Sequence, residues 1–240
     1  MTGPEALATG PEGELSGYKL AAKRVAHRLL DPLVRGLLAV GLKANHVTAL
    51  GFVMSVAAGL EFATGRFRIA ATLALVSGLC DILDGQLARV SGRVTRFGGF
   101  LDSTLDRVAE AAILVGVASF YTLNLVDMAG NPRRVLANLQ NGLEPLTWAV
   151  IAVTAMLALV GSFMVSYSRA RAEGLGLECK VGWFERPERL VLIIIAGFAG
   201  LGPVMPAALI LLVVFSFATV IQRMAHVWRL TRTGSGSTEA

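Results

Sequence analysis

Four of the chain's six aspartates, Asp81, Asp84, Asp102 and Asp106, fall in one stretch, DILDGQLARVSGRVTRFGGFLDSTLD, residues 81–106. Strongly apolar runs flank it, IAATLALVSGLC before and AAILVGVASFY after. Carboxylates inside or beside membrane-spanning segments are costly and persist where they have a partner and a task. Asp81 and Asp84 are three residues apart, and Asp102 and Asp106 are four apart. On helices both spacings place the pair on one face. Two such helices joined by a short turn would aim four carboxylates at one point, the oxygen-only environment that hard divalent cations prefer. Ions held this way bridge phosphates and neutralise charge on a departing oxygen. Gly85 lets a ligand approach the backbone, Ala88 is equally small one turn on, and Arg89 supplies a fixed charge suited to phosphate. Gly98 and Gly99 would let the next helix start close against the preceding one. Together these residues describe a site for a nucleotide diphosphate with metal ions. The plainer reading makes the aspartates helix caps and ion partners of Arg89, Arg93, Arg96 and Arg107. Two pairs at helical spacing, with glycine and arginine set between them, weigh against it.

The elements that must position these residues are membrane spans. The hydrophobic fraction is 54% and mean hydropathy is +0.62, too apolar for an ordinary soluble protein. The expected fold class is an all-α integral membrane protein with six transmembrane helices preceded by a cytoplasmic amphipathic surface helix. Residues 1–15, polar and rich in Gly and Pro with no signal-peptide pattern, read as a disordered tail. Residues 16–43 carry Leu20, Val25, Leu29, Leu33, Leu37 and Leu38 at helical spacing, with Lys19, Lys23, Arg24, Arg28 and Arg35 on the remaining turns. They read as an amphipathic juxtamembrane helix on the membrane surface, kinked or broken at Pro32. The alternative is an ordinary helix packed on the cytoplasmic face. Residues 44–230 form the six-helix catalytic domain, with spans near 46–64, 67–90, 98–124, 146–170, 187–201 and 205–228. Residues 231–240 read as a second disordered tail. Cys80 and Cys179 are expected to be free thiols.

Charge sets the orientation. Seventeen of the 22 Lys and Arg fall in the segments that share a side with the N-terminus, four (Arg66, Arg68, Arg133, Arg134) fall in the opposite loops, and Arg107 lies within the third span. Positive charge marks the cytoplasmic side, so both termini and the aspartates are expected there, in a multi-pass protein of a bacterial-type plasma (inner) membrane. The stretch 125–145 becomes the long external connection. The net charge of +5 then reflects lipid surface or anionic substrates, with no nucleic-acid partner. An ion-transport path would need ionisable groups through several spans, and only Glu61 and Glu110 are available. A catalytically dead scaffold would be expected to lack one of the aspartates.

The run Asp81, Asp84, Gly85, Ala88, Arg89, Gly98, Asp102, Asp106 resembles, position for position, the signature of the CDP-alcohol phosphotransferase family: D-x-x-D-G-x-x-A-R, eight residues, G-x-x-x-D-x-x-x-D. The resemblance implies that an acceptor hydroxyl attacks the β-phosphate of CDP-diacylglycerol and CMP leaves. It implies that Asp81, Asp84 and Asp102 hold metal, Mg²⁺ or Mn²⁺, two ions per site. Asp106 would both ligate metal and act as general base, and Gly85, Ala88 and Arg89 would meet the nucleotide. It further implies a homodimer among membrane lipids. The segment KANHVT resembles the family's P-N-x-V-T, with Ala44 in place of proline, so Asn45 and Thr48 are further nucleotide candidates. Helix capping by Asn45 explains that segment equally well.

A second basic group bears on the acceptor. SYSRARAE (166–173), ERPER (185–189) and Arg223 should converge beside the aspartates, and several cations at one mouth suit a polyol phosphate. The candidates for that phosphate are Ser166, Arg169, Arg171, Arg186, Arg189 and Arg223. Positive-inside topology with pairs from Arg186 or Arg189 to Glu173 or Glu185 is the plainer account. The pattern looks like that of bacterial phosphatidylinositol-phosphate synthases, whose acceptor is inositol phosphate. Arg169 stands where those synthases carry lysine, keeping charge but not geometry. Glycerol 3-phosphate is the alternative acceptor, giving a phosphatidylglycerophosphate synthase.

Overall fold

The computed structural model describes residues 31–92, 95–140 and 144–234. The expected tail 1–15, residues 16–30 of the amphipathic stretch, and Arg93 lie outside them. Residues 31–39 are helical (α1). There follow α2 (Ala44–Ala63), α3 (Phe67–Val90), α4 (Arg96–Gly130), α5 (Pro132–Gln140), α6 (Pro145–Gly174), α7 (Arg186–Ala199) and α8 (Val204–Gly234). No strand occurs among the described residues.

Each apolar run expected to span has become a helix. α2, α4, α6 and α8 are long and apolar enough to cross a membrane. α3 carries Arg68, Asp81, Asp84 and Arg89 along its length. α7 has 14 residues, a rise of about 21 Å. The six long helices close a circuit, with packing running α3–α2–α4–α6–α8–α7 and back to α3. The pattern is inverted relative to a soluble bundle. Small residues such as Ala58, Ala70, Ala74, Ala155, Ala158 and Ala196 are fully buried, while Val53, Leu60, Ile69, Val191, Ile210 and Ile221 are exposed. Membrane helices pack this way, because large apolar side chains gain nothing by leaving lipid and small ones let backbones approach. The tightest approach is α2 on α4. A Cβ on Gly116 would fall 2.0 Å from the Gly59 carbonyl oxygen, and one on Gly59 would fall 2.3 Å from that of Ala112.

Three details differ from the sequence reading. α3 and α4 are not a packed pair. Each packs on α2, and a Cβ on Gly98 would meet only Thr95 and Asn45 among the described residues, while one on Gly99 would meet none of them within 4 Å. These glycines therefore do not bring the two aspartate helices together. The stretch 125–145 is largely helical, holding the last turns of α4 and all of α5. α8 continues through Gly234 into the stretch read as a tail. α1 packs inward, with Val34 buried beside Val47, Cys80, Leu83 and Leu87. Both cysteines are free and buried.

At one end of the bundle Phe62, Phe67, Phe120, Tyr121 and Trp148 interlock, largely edge to face, with centroids 4.9–5.9 Å apart. The aspartates lie toward the other end.

Candidate active site

α3 and α4 present their aspartates because of where each helix stops and starts. α3 closes at Ser91, followed by Gly92 at φ +63. α4 opens on Thr95, whose hydroxyl accepts from the Gly98 N–H at 2.9 Å, satisfying an otherwise orphaned first-turn donor. Asp81, Asp102 and Asp106 each offer a carboxylate oxygen, all within 4.8 Å of one another. Asp84 stands beside this trio, buried at 6% exposure, in a small cleft shared with Thr48, Gly51, Asp81, Asp106 and Arg186. Two buried carboxylate oxygens, Asp84 Oδ2 and Asp102 Oδ1, have no hydrogen-bond partner. Buried polar atoms are rarely left so. Acceptor-only oxygens gathered in this way, two of them unmet, fit a hard divalent cation.

The counter-charge differs from the plain sequence reading. Among the described residues Asp81 and Asp106 pair with Arg186, from α7, at 2.9 and 2.7 Å. Arg107 donates to its own helix at Ser103. α7 begins where it does because Glu185 and Glu188 form a reciprocal capping box and Pro187 occupies the first turn, which suits a helix start. Arg186 is thereby held over the aspartates.

The remaining nucleotide candidates lie nearby. Arg89 is exposed, and its guanidinium lies over Gly85, where a Cβ would meet it at 3.7 Å. Ala88 is half-buried. Thr48 lines the cleft. Asn45 is not a cap, since Lys43 holds that position and the His46 ring nitrogen accepts from the Lys43 N–H at 3.5 Å.

The acceptor candidates separate into two kinds. Arg189 is 1% exposed and spends its guanidinium on Glu110, at 2.6 and 2.9 Å, and on the Phe184 carbonyl at 3.3 Å. Arg223 is 2% exposed and donates to the carbonyls of Val181, at 2.9 Å, and Val165. Gly182, at φ +130, allows that approach, since a Cβ there would lie 3.3 Å from Arg223 Nε. Arg169 is part-exposed and pairs with Glu173 at 2.9 Å and Glu185 at 3.7 Å. Arg171 is exposed and Ser166 half-buried. Glu173 thus takes Arg169, and Glu185 lies 3.7 Å from both Arg169 and Arg223, while neither pairs with Arg186 or Arg189.

Glu110, weighed from the sequence only as part of an ion path, was not placed at the site. It sits one turn beyond Asp106 and accepts from both Arg189 and Ser162, the latter at 3.0 Å. The signal was available as the four-residue repeat Asp102, Asp106, Glu110.

The profile of the CDP-alcohol phosphatidyltransferase family matches residues 42–229. An archaetidylinositol phosphate synthase of Methanothermobacter thermautotrophicus is 38% identical over 208 residues, 85% of this chain and 91% of that protein. A phosphatidylinositol phosphate synthase of Mycobacterium tuberculosis is 34% identical, over 84% of this chain and 86% of its own. A crystal structure of the Mycobacterium tuberculosis synthase with CDP-DAG bound superposes with TM-score 0.69 at 33% identity, covering 84% of this chain and 94% of that one. A crystal structure of that synthase with manganese and citrate gives TM-score 0.67 at 33% identity, covering 82% and 88%.

Proposed function

This chain belongs to the CDP-alcohol phosphatidyltransferase family, and we propose that it transfers the phosphatidyl group of CDP-diacylglycerol to a hydroxyl of inositol phosphate, giving phosphatidylinositol phosphate and releasing CMP. The reading is carried by the convergence of Asp81, Asp102 and Asp106 on one point, beside the two arginines of the first turn of α7. The names and bound ligands of the similar synthases support it.

Asp81, Asp84, Asp102 and Asp106 hold Mg²⁺ or Mn²⁺, two ions per site. Such ions neutralise the charge that develops on the phosphate oxygens and on the departing nucleotide. Asp106 removes the proton from the acceptor hydroxyl as it attacks the β-phosphorus. Gly85 and Ala88 leave room for the nucleotide, and Arg89, with Asn45 and Thr48, faces it. Ser166, Arg169, Arg171 and Arg186 receive the acceptor phosphate, a dianion that arginine forks match well. Arg189 and Arg223, saturated by protein groups, hold the walls of that subsite.

In the topology we propose, all six long helices cross the plasma membrane, with both termini and the aspartates cytoplasmic and α1 continuing an amphipathic surface helix. The Lys and Arg distribution supports this. α7, about 21 Å long, is accommodated by local thinning of the bilayer and by its flanking charged residues reaching to the interface. The protein works as a homodimer among membrane lipids.

The test is CMP release by the purified chain with CDP-diacylglycerol and Mg²⁺, offered inositol 3-phosphate or glycerol 3-phosphate. Release with inositol 3-phosphate well above that with glycerol 3-phosphate is expected. The opposite order makes the chain a phosphatidylglycerophosphate synthase, and no release with either acceptor sinks the proposal.

A further inference from the structure

Two charge pairs, stacked one helical turn apart, join α4 to α7. Asp106 and Glu110 are four residues apart on α4, and Arg186 and Arg189 are three apart on α7, so each couple shares a helix face. The deeper rung, Arg189–Glu110, is nearly sealed, with side-chain exposures of 1% and 11%. Its carboxylate is met twice by the guanidinium and again by the Ser162 hydroxyl. The shallower rung, Arg186–Asp106, is 20% and 23% exposed. There a single nitrogen, Arg186 Nη1, bridges Asp81 Oδ2 and Asp106 Oδ2. That nitrogen stands among the same carboxylate oxygens whose spacing suits a divalent ion. A guanidinium and an ion that neutralise the same two carboxylates at contact distance compete for them, because like charges that close repel strongly.

We propose that Arg186 is a built-in counter-cation, displaced from Asp81 and Asp106 when a divalent ion enters. The Glu110–Arg189 pair is the fixed anchor that keeps Arg186 within reach of them. The inference rests on the reading of the aspartates as the metal site. With the ion absent, Arg186 prevents two carboxylates from facing each other uncompensated. With it present, the guanidinium turns away from them and its charge becomes available to an anion in the adjoining subsite. Ion binding and anion binding are then coupled, and by linkage the coupling is reciprocal. Arg189 cannot play this part, because its partner is buried and fully engaged.

The experiment is a Mn²⁺ titration of the full chain in detergent, read by the loss of the free-ion EPR signal. Arg186→Gln should bind Mn²⁺ about tenfold more tightly than the unaltered chain, a coupling of the size found between groups in contact. Arg89→Gln, which removes a neighbouring charge that bridges no aspartates, should tighten it less than about threefold. Equal effects of the two would reduce Arg186 to part of a general positive field and overturn the proposal, as would unchanged or weaker binding in Arg186→Gln. The double variant Glu110→Gln/Arg189→Gln removes the deeper rung with no change in net charge. It should tighten Mn²⁺ toward the Arg186→Gln value, and affinity equal to that of the unaltered chain would refute the anchoring role. Should that double variant not fold, Arg189→Lys, which keeps the charge but cannot span both Glu110 oxygens, is read by the same criterion. Asp81→Asn tells this failure from failure of the underlying reading. If Asp81→Asn and the unaltered chain bind Mn²⁺ equally, the aspartates are not the metal site.

Discussion

The two ends of the helix bundle are held by different forces. At one end, five aromatic rings from α2, α3, α4 and α6 interlock around Phe120, and Phe62, Phe67, Tyr121 and Trp148 are all nearly buried. At the other, Arg186, Arg189 and Arg223 are met by Asp81, Asp106, Glu110 and backbone carbonyls. Aromatic packing is strongly stabilising and has no alternative partner to turn to. Buried ion pairs add little net stability, because desolvation offsets attraction, although breaking one is costly. The contrast teaches where the molecule keeps its stability and where it keeps its freedom. The ring cluster holds the helices together, while the charged end holds groups that can exchange one partner for another.

That division can be broken by substitution. Asp106→Asn should lower the rate of CMP release about 10³-fold, with a melting temperature in detergent close to that of the unaltered chain. A large fall in Tm there would show that the charged end also carries the fold. Phe120→Ala should cost about 3–5 kcal/mol of stability, seen as a marked drop in Tm, while the molecules that remain folded keep their turnover. Selective loss of turnover without loss of Tm would reverse the assignment of roles. Between the ends lies the buried Ser55–Ser77 hydrogen bond of α2 on α3, 2.6 Å long. Ser55→Ala should cost about 1 kcal/mol, a small fall in Tm with Mn²⁺ affinity unchanged. It marks the point along the bundle where packing gives way to charge.

Much of this was legible in the chain. Six apolar runs announced six helices because a backbone in lipid must satisfy its own hydrogen bonds. Asp81 with Asp84, and Asp102 with Asp106, announced a site because helical spacing fixes which side chains share a face. What escaped was whatever depended on which helix neighbours which. The turn between α3 and α4 suggested that those two pack together, yet each packs on α2, and they meet through their aspartate side chains. Arg189 and Arg223 looked like ligands for an anion because a sequence shows a cation without its partner. Glu110 and the Val165 and Val181 carbonyls were invisible as partners until the helices were assembled. α5 left a fainter trace, Pro132 followed by Val135, Leu136 and Leu139.

The Gly59–Gly116 contact bears on how the two ends communicate. With no side chains between them, α2 and α4 meet backbone to backbone, and Gly116 lies between Asp106 and Phe120 along α4. Two rods pinned at one crossing behave as scissors. A tilt imposed on one side of the pin arrives on the other with opposite sense. Because the interlocked rings hold one pair of arms together, the pin fixes the other pair as well, and Thr48 of α2 and Asp106 of α4 are kept lining one cleft.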